Sequence, residues 1–210
     1  MTMIRQLRYN WELDGQEDYT CGFAPDGGWY TTGVSHPWFG TYCIVFSVVV
    51  IPLYTICLIG MRDNLRSSCY KIMFYIGITD ILTIVINSTI TGTYLILGEV
   101  FCCHPKLNFI IGMIGTALWF NVCMSCVVLA INRLSNLLNL HSLNNFFQTH
   151  PRVVLMIPTL YGILIGLLSP PGLFNSKQHA WMFNPWIVDN TKKENDYPSS
   201  RRMSPDAKKV

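Results

Sequence analysis

The chain has 210 residues, of which 50% are hydrophobic and only 13% charged, with a formal net charge of +3. A soluble domain carries about a quarter charged residues, so this composition argues against a soluble enzyme. A small positive charge with no basic stripe interleaved with aromatics also argues against a nucleic-acid surface.

The first twenty residues are polar and hold Glu12, Asp14, Glu17 and Asp18. They lack the apolar core behind a basic start that marks a cleavable signal peptide, so the first hydrophobic helix is expected to do the targeting. Residues 1–36 then read as an extracellular amino-terminal segment.

Four charge-poor stretches follow, at about 38–61, 72–98, 107–132 and 153–173, within a bundle expected over 37–176. No charged residue stands between Asp26 and Arg62, between Lys106 and Arg133, or between Arg152 and Lys177, and only Asp80 interrupts the run from Lys71 to Glu99. A hydrocarbon core about 30 Å thick needs roughly 20 apolar helical residues. In lipid the backbone must satisfy its own hydrogen bonds, so the segments are expected as helices. The fold class is therefore all-α, a polytopic transmembrane bundle whose main partner is membrane lipid. Pro52 and Pro158 fall inside spans, where neighbouring helices cover the freed carbonyl. Gly162 and Gly166 have small-xxx-small spacing, read here as ordinary bundle packing.

Lys and Arg set the orientation. Arg62, Arg66 and Lys71 flank the first loop, and Arg133 and Arg152 the third, whereas Lys106 stands alone in the second. The first and third loops are expected in the cytosol and the amino terminus outside. After Lys177, the aromatics Trp181, Phe183 and Trp186 are expected along the headgroups. The polar tail of 177–210, from Lys192 onward, has no apolar periodicity and reads as disordered.

Asp80 lies nine positions beyond Lys71, about 14 Å along a helix, near mid-bilayer. A charge there costs about 2.5–3.5 kcal/mol on insertion scales, so the side chain is expected to face the bundle, near Asn87 or Asn121. Two readings stand: a neutral, hydrogen-bonded carboxyl that packs helices, or an ion or proton site coupled to a conformational change. Asn132 and Arg133 close the third span. There the arginine is either a snorkelling anchor or a switch residue. Of the eight cysteines, Cys21, Cys102 and Cys103 fall on the expected outer side, where disulfides form; the sequence leaves open which two pair. Cys43, Cys57, Cys123 and Cys126 read as small packing residues. No cysteine or histidine pattern calls for a metal, no motif calls for a cofactor, and no catalytic constellation is present. Asn87-Ser88-Thr89 fits a glycosylation acceptor but lies inside the second span.

Specific strings carry a resemblance. The runs Ser68-Cys69-Tyr70-Lys71-Ile72-Met73, Gly77-Ile78-Thr79-Asp80, Asn87-Ser88 and Thr91-Gly92 resemble the second helix of nematode serpentine chemoreceptors of class T. Phe101-Cys102-Cys103-His104-Pro105, Trp119 and Leu129-Ala130-Ile131-Asn132-Arg133 resemble the third, and Leu173-Phe174-Asn175-Ser176 the segment after the fourth. The resemblance covers roughly Gly40 to Pro185. It implies a rhodopsin-like G-protein-coupled receptor fold of seven helices, sensing a small external ligand and coupling to a heterotrimeric G protein. It also implies that Asp80 sits in a sodium and water pocket and that Arg133 belongs to the activation switch. Arg133 follows Asn132 rather than an acidic residue, so the resemblance carries no neighbouring ion pair to it.

Only four of seven spans are read in this chain, so a truncated form is expected, silent alone or inhibitory through association with other receptor chains. The plasma membrane of sensory cells is the implied location of a full-length form. A four-span membrane organiser or channel subunit acting by lateral association is the second function class, favoured by the span count.

Overall fold

The computed structural model describes Cys21 and residues 28–183. Residues 1–20 and 22–27 and the tail from residue 184, including Trp186, lie outside that description, and so do the expectations for the acidic start and the polar tail. In order come α1 (Pro37–Met61), α2 (Ser68–Leu97), α3 (Pro105–Leu137), the short α4 (His141–Thr149) and α5 (Pro151–Leu168). An antiparallel hairpin, β1 (Leu173–Asn175) and β2 (Ala180–Met182), follows, with Phe174 opposite Trp181. Helices α1, α2, α3 and α5 are each long and apolar enough to cross a bilayer. The protein is an integral, multi-pass membrane bundle.

Three helices start on the same dipeptide: His36-Pro37, His104-Pro105 and His150-Pro151. Proline at the first helical position loses no bond and fixes a helical φ, while it pushes the residue before it out of the α region. The three histidines accordingly sit at ψ 71°, 71° and 50°. Helix α2 ends on Gly98 at φ 69°, the left-handed cap that glycine adopts without strain, and Glu99 N–H closes onto the Tyr94 carbonyl at 2.9 Å. Asn139, at φ 53°, turns the chain between α3 and α4.

Polarity is distributed as lipid requires. The helix surfaces expose Val45, Val48, Val49, Leu53, Ile56 and Ile59 on α1 and Trp119 on α3. The interior holds Ser47, Thr79, Asn108, Asn121, Ser125, Asn132 and Ser135 beside glycines. In water such an apolar surface has no partner; in hydrocarbon it needs none, and small or hydrogen-bonding groups hold the helices together. Helix α1 packs on α2, α2 on α3 and α3 on α5. The contacts are close: a Cβ on Gly40 would stand 2.6 Å from the Gly92 carbonyl, and one on Gly162 2.6 Å from the Ala117 carbonyl. Gly162 and Gly166 thus serve packing within this chain.

Apolar clusters seal both ends. Ile72, Val128, Phe147 and Val154 form one at the end that carries the basic loops. At the opposite end, Tyr94, Leu95 and Phe174 pack together beside Phe101, Cys102 and Leu173.

Several boundaries differ from the sequence expectation. Helix α5 stops at Leu168, because Ser169 precedes Pro170-Pro171 and turns extended, at ψ 147°. Residues beyond it fold back as the short hairpin, whose first strand is buried and whose second is half-buried, while the architecture stays all-α in class. Helix α3 runs on to Leu137, past Asn132 and Arg133, and most of the third loop is the amphipathic helix α4. Trp181 is tied to the bundle. Its indole N–H donates to Thr91 Oγ1 at 2.8 Å, and its ring packs on Tyr94 and Phe174.

Candidate functional site

Polar groups occupy three levels of the bundle. The first is the end that carries a disulfide between Cys21 and Cys102, with Cys103 left as a free thiol. The bridge ties the chain before α1 to the α2–α3 connection. There Ser176 N–H donates to the Glu99 carbonyl at 3.1 Å, Val34 N–H donates to Ser176 Oγ at 3.3 Å, and Val100 bridges to Asn175. Burial pushes the Cys103 thiol above its ordinary pKa, with the nearby Glu99 charge adding to the rise and a Val100 backbone hydrogen bond opposing it.

Midway along the bundle, the Asp80 carboxylate is half-buried on α2 and accepts a long 3.4 Å hydrogen bond from Tyr54 of α1. It faces a cleft of about 280 Å³ between α1, α2 and α3, whose walls include Leu58, Met73, Ile76, Cys126 and Leu129. The cleft is almost wholly apolar, so the tyrosine is the polar partner that this carboxyl has there. Asp80 bonds to neither Asn87 nor Asn121. Asn87 lies in the wider π-helical turn Val85–Ile90 and is exposed. That turn presents Thr89 to Ser47 of α1 at 3.0 Å, and π-turns inside helices recur at functional positions.

Asn121 instead anchors a network that joins three helices. Its Nδ2 donates to the Tyr75 hydroxyl of α2 at 2.7 Å, and the same hydroxyl lies 2.7 Å from Thr159 Oγ1 of α5. Ser125 Oγ closes it on Asn121 Oδ1 at 3.2 Å. Sequence reasoning missed Tyr75 and Thr159. The available signal was polar groups at helical spacing: Tyr75 and Thr79 on α2, Asn121 and Ser125 on α3, each four apart, so that one face of each helix is marked.

At the basic end, Asn132 is fully buried, 3.4 Å from Ser68 Oγ of α2, and Ser135 Oγ lies 2.7 Å from Asn144 Oδ1 of α4. Arg133 points the other way. It is exposed and, among the described residues, reaches Met73 Sδ at 3.3 Å. The two neighbours therefore part: Asn132 holds helices together, and Arg133 offers its charge to the surface. Among the described residues no group of three His, Cys, Asp or Glu is placed to hold a metal ion.

Residues 5–204 match the family model described as serpentine type 7TM GPCR chemoreceptor Srt. The chain belongs to this family of serpentine chemoreceptors. The family is a receptor class, not an enzyme class. Serpentine receptor class T-55 of Caenorhabditis elegans is 26% identical over 175 residues, which is 80% of this chain and 48% of that protein. The chain thus spans about half the length of the curated relative it matches. No solved structure matches it.

Proposed function

We propose that the chain acts as a chemosensory G-protein-coupled receptor, or as the first four helices of one, sensing a small external ligand. The observation that carries this reading is the family match over residues 5–204. The polar geometry supports it. The Tyr75–Asn121–Thr159 network couples α2, α3 and α5, and Ser135 and Asn144 couple α3 to α4 at the basic end. A receptor needs such a packed bundle with two arrangements, one of which the ligand prefers.

In this reading the disulfide end faces outside and the basic end faces the cytosol. Two independent signals favour that orientation, the oxidising environment a disulfide requires and the positive-inside rule. Arg133 and Asn132 then stand where a heterotrimeric G protein would meet the bundle, and Asp80 and Tyr54 line a cleft that responds to movement of α1 against α2. The open side of that cleft is covered by further receptor helices, from the same polypeptide or from another receptor chain. The family match favours this reading over a membrane organiser or channel subunit. A full receptor of this kind works in the plasma membrane of sensory cells.

The test is G-protein activation followed by energy transfer in heterologous cells expressing the chain alone or with the class T-55 receptor, across a panel of small water-soluble and volatile compounds. A compound-dependent response that disappears in Arg133→Ala supports the proposal. Silence in both settings, with the chain shown at the cell surface, overturns it.

A further inference from the structure

Two histidines from distant parts of the chain meet at the disulfide end. His36 precedes α1 and His179 lies in the turn between β1 and β2, yet their ring centres stand 4.0 Å apart, edge to face at 84°. Phe39 of α1 meets the same His179 ring edge-on at 5.8 Å. The hairpin turn therefore rests on the start of α1 through one imidazole.

The backbone fixes both positions. Ser176 serves the two segments at once: its Oγ accepts the N–H of Val34, just ahead of His36, at 3.3 Å, and its carbonyl accepts the His179 N–H at 3.4 Å. The His36 N–H donates to the Leu95 carbonyl at 2.8 Å, and the His36 carbonyl accepts the Gly40 N–H at 2.9 Å. His179 takes φ 53°, and the strand after it is held by the bond from Trp181 to Thr91. Neither residue can move away without breaking this frame, so the rings alone are free to turn.

The ring nitrogens are available as ligands. Among the described residues, no hydrogen bond or ion pair engages a ring nitrogen of His36 or His179, whereas the His104 ring is taken up by Glu99 at 3.4 Å. His179 is exposed and His36 half-buried, so solvent reaches the pair. Imidazole suits zinc, copper and nickel ions, whereas magnesium and calcium select oxygen ligands. With metal–nitrogen bonds of about 2.0–2.1 Å, two imidazoles on one tetrahedral ion hold their ring centres about 5 Å apart. From 4.0 Å the pair has to open by only about 1 Å, which rotation of the exposed His179 ring supplies. Among the described residues no third His, Cys, Asp or Glu completes a cluster, so water fills the remaining positions and the site is weaker than one with three or four protein ligands.

We propose that His36 and His179 form a two-histidine site for a divalent transition ion of the zinc type, and that the ion clasps the hairpin to the start of α1. The inference goes beyond the receptor reading and does not depend on it, because binding is read without signalling. The experiment is thermal unfolding of the full chain in nanodiscs of neutral phosphatidylcholine, titrated with zinc chloride or magnesium chloride. An ion that binds the folded state raises Tm with its concentration. The expected result is a saturable rise with zinc, none with magnesium, and reversal by a chelator. Asparagine suits both backbones, since it caps helices and tolerates positive φ. His36→Asn and His179→Asn should each weaken the zinc affinity by at least about ten-fold, because losing a ligand costs no less than losing its outer-shell support. His104→Asn should leave the affinity unchanged. No zinc-specific rise in the parent chain would overturn the site. So would a rise that survives both His36→Asn and His179→Asn, or one that is lost in His104→Asn instead, because either result puts the zinc elsewhere. Should His36→Asn fail to fold, His179→Asn, in an exposed turn, decides alone.

Discussion

Replacing Tyr75 by Phe removes one hydroxyl and nothing else, and that hydroxyl joins three helices. It bonds Thr159 Oγ1 on α5 and Asn121 Nδ2 on α3, each at 2.7 Å. Thr159 keeps its bond to the Leu155 carbonyl at 2.8 Å, and Asn121 Oδ1 keeps Ser125, so Asn121 Nδ2 is the group newly orphaned. Hydrogen bonds between membrane helices average about 0.6 kcal/mol each, with a ceiling near 1.7. Two such bonds make the loss roughly 1–2 kcal/mol by the same figures, about a five- to thirty-fold fall in the folding equilibrium. The assay is reversible unfolding in bicelles by increasing dodecyl sulfate, followed by helicity. Thr159→Val removes the same Tyr75–Thr159 bond from the other side, so the double variant should lose less than the sum of the singles, by at least about 0.5 kcal/mol. Strict additivity, or a Tyr75→Phe protein as stable as the parent, would refute the three-helix network.

Gly162→Ala places a Cβ 2.6 Å from the Ala117 carbonyl and 2.8 Å from Asn121 Cβ, so it should cost about 1–3 kcal/mol in the same unfolding assay, whereas Gly60→Ala, with nothing within 4 Å, should be near neutral. The Cys103 thiol is raised by burial first and by Glu99 next, so thiolate forms only at a pH above the ordinary cysteine range. Its alkylation by iodoacetamide should therefore be slow at neutral pH, rise on going alkaline, and rise at lower pH in Glu99→Gln; fast labelling at neutral pH would contradict this. Asp80→Leu should insert as well as or better than the parent, since an intramembrane carboxyl is removed. If it also leaves a compound-dependent G-protein response unaltered, Asp80 serves packing alone.

The fold was legible in outline because a bilayer imposes one rule on sequence. Long charge-poor runs between charged breaks are visible without structure, and they correspond to helices α1, α2, α3 and α5. The boundaries were less legible where local chemistry competes with hydropathy. Ser169-Pro170-Pro171-Gly172 is apolar enough to extend a span, but two prolines cannot continue the hydrogen-bond ladder, so α5 ends early. Trp181 carries the composition of an interfacial residue, and only its distance from Thr91 shows that it caps the bundle. At the candidate sites, polar residues inside spans were visible singly, as Asp80, Asn121 and Asn132. Their partners were not, because pairing across helices depends on rotation about each axis. The π-helical turn at Val85–Ile90 changes that rotation midway along α2, and it leaves Asn87 on the surface rather than beside Asp80.

The receptor reading stands on which end of the bundle meets the outside, since only one orientation gives a ligand the disulfide end and a G protein the basic end. Cysteines introduced at Tyr30 and at Ser142, both exposed positions at opposite ends, report this directly when the free cysteines Cys43, Cys57, Cys69, Cys103, Cys123 and Cys126 are replaced by Ser. Intact cells are treated with a membrane-impermeant maleimide, then permeabilised and treated again. The account predicts that Tyr30→Cys is labelled in intact cells and Ser142→Cys only after permeabilisation. Labelling of Ser142→Cys from outside intact cells would invert the bundle and contradict the account.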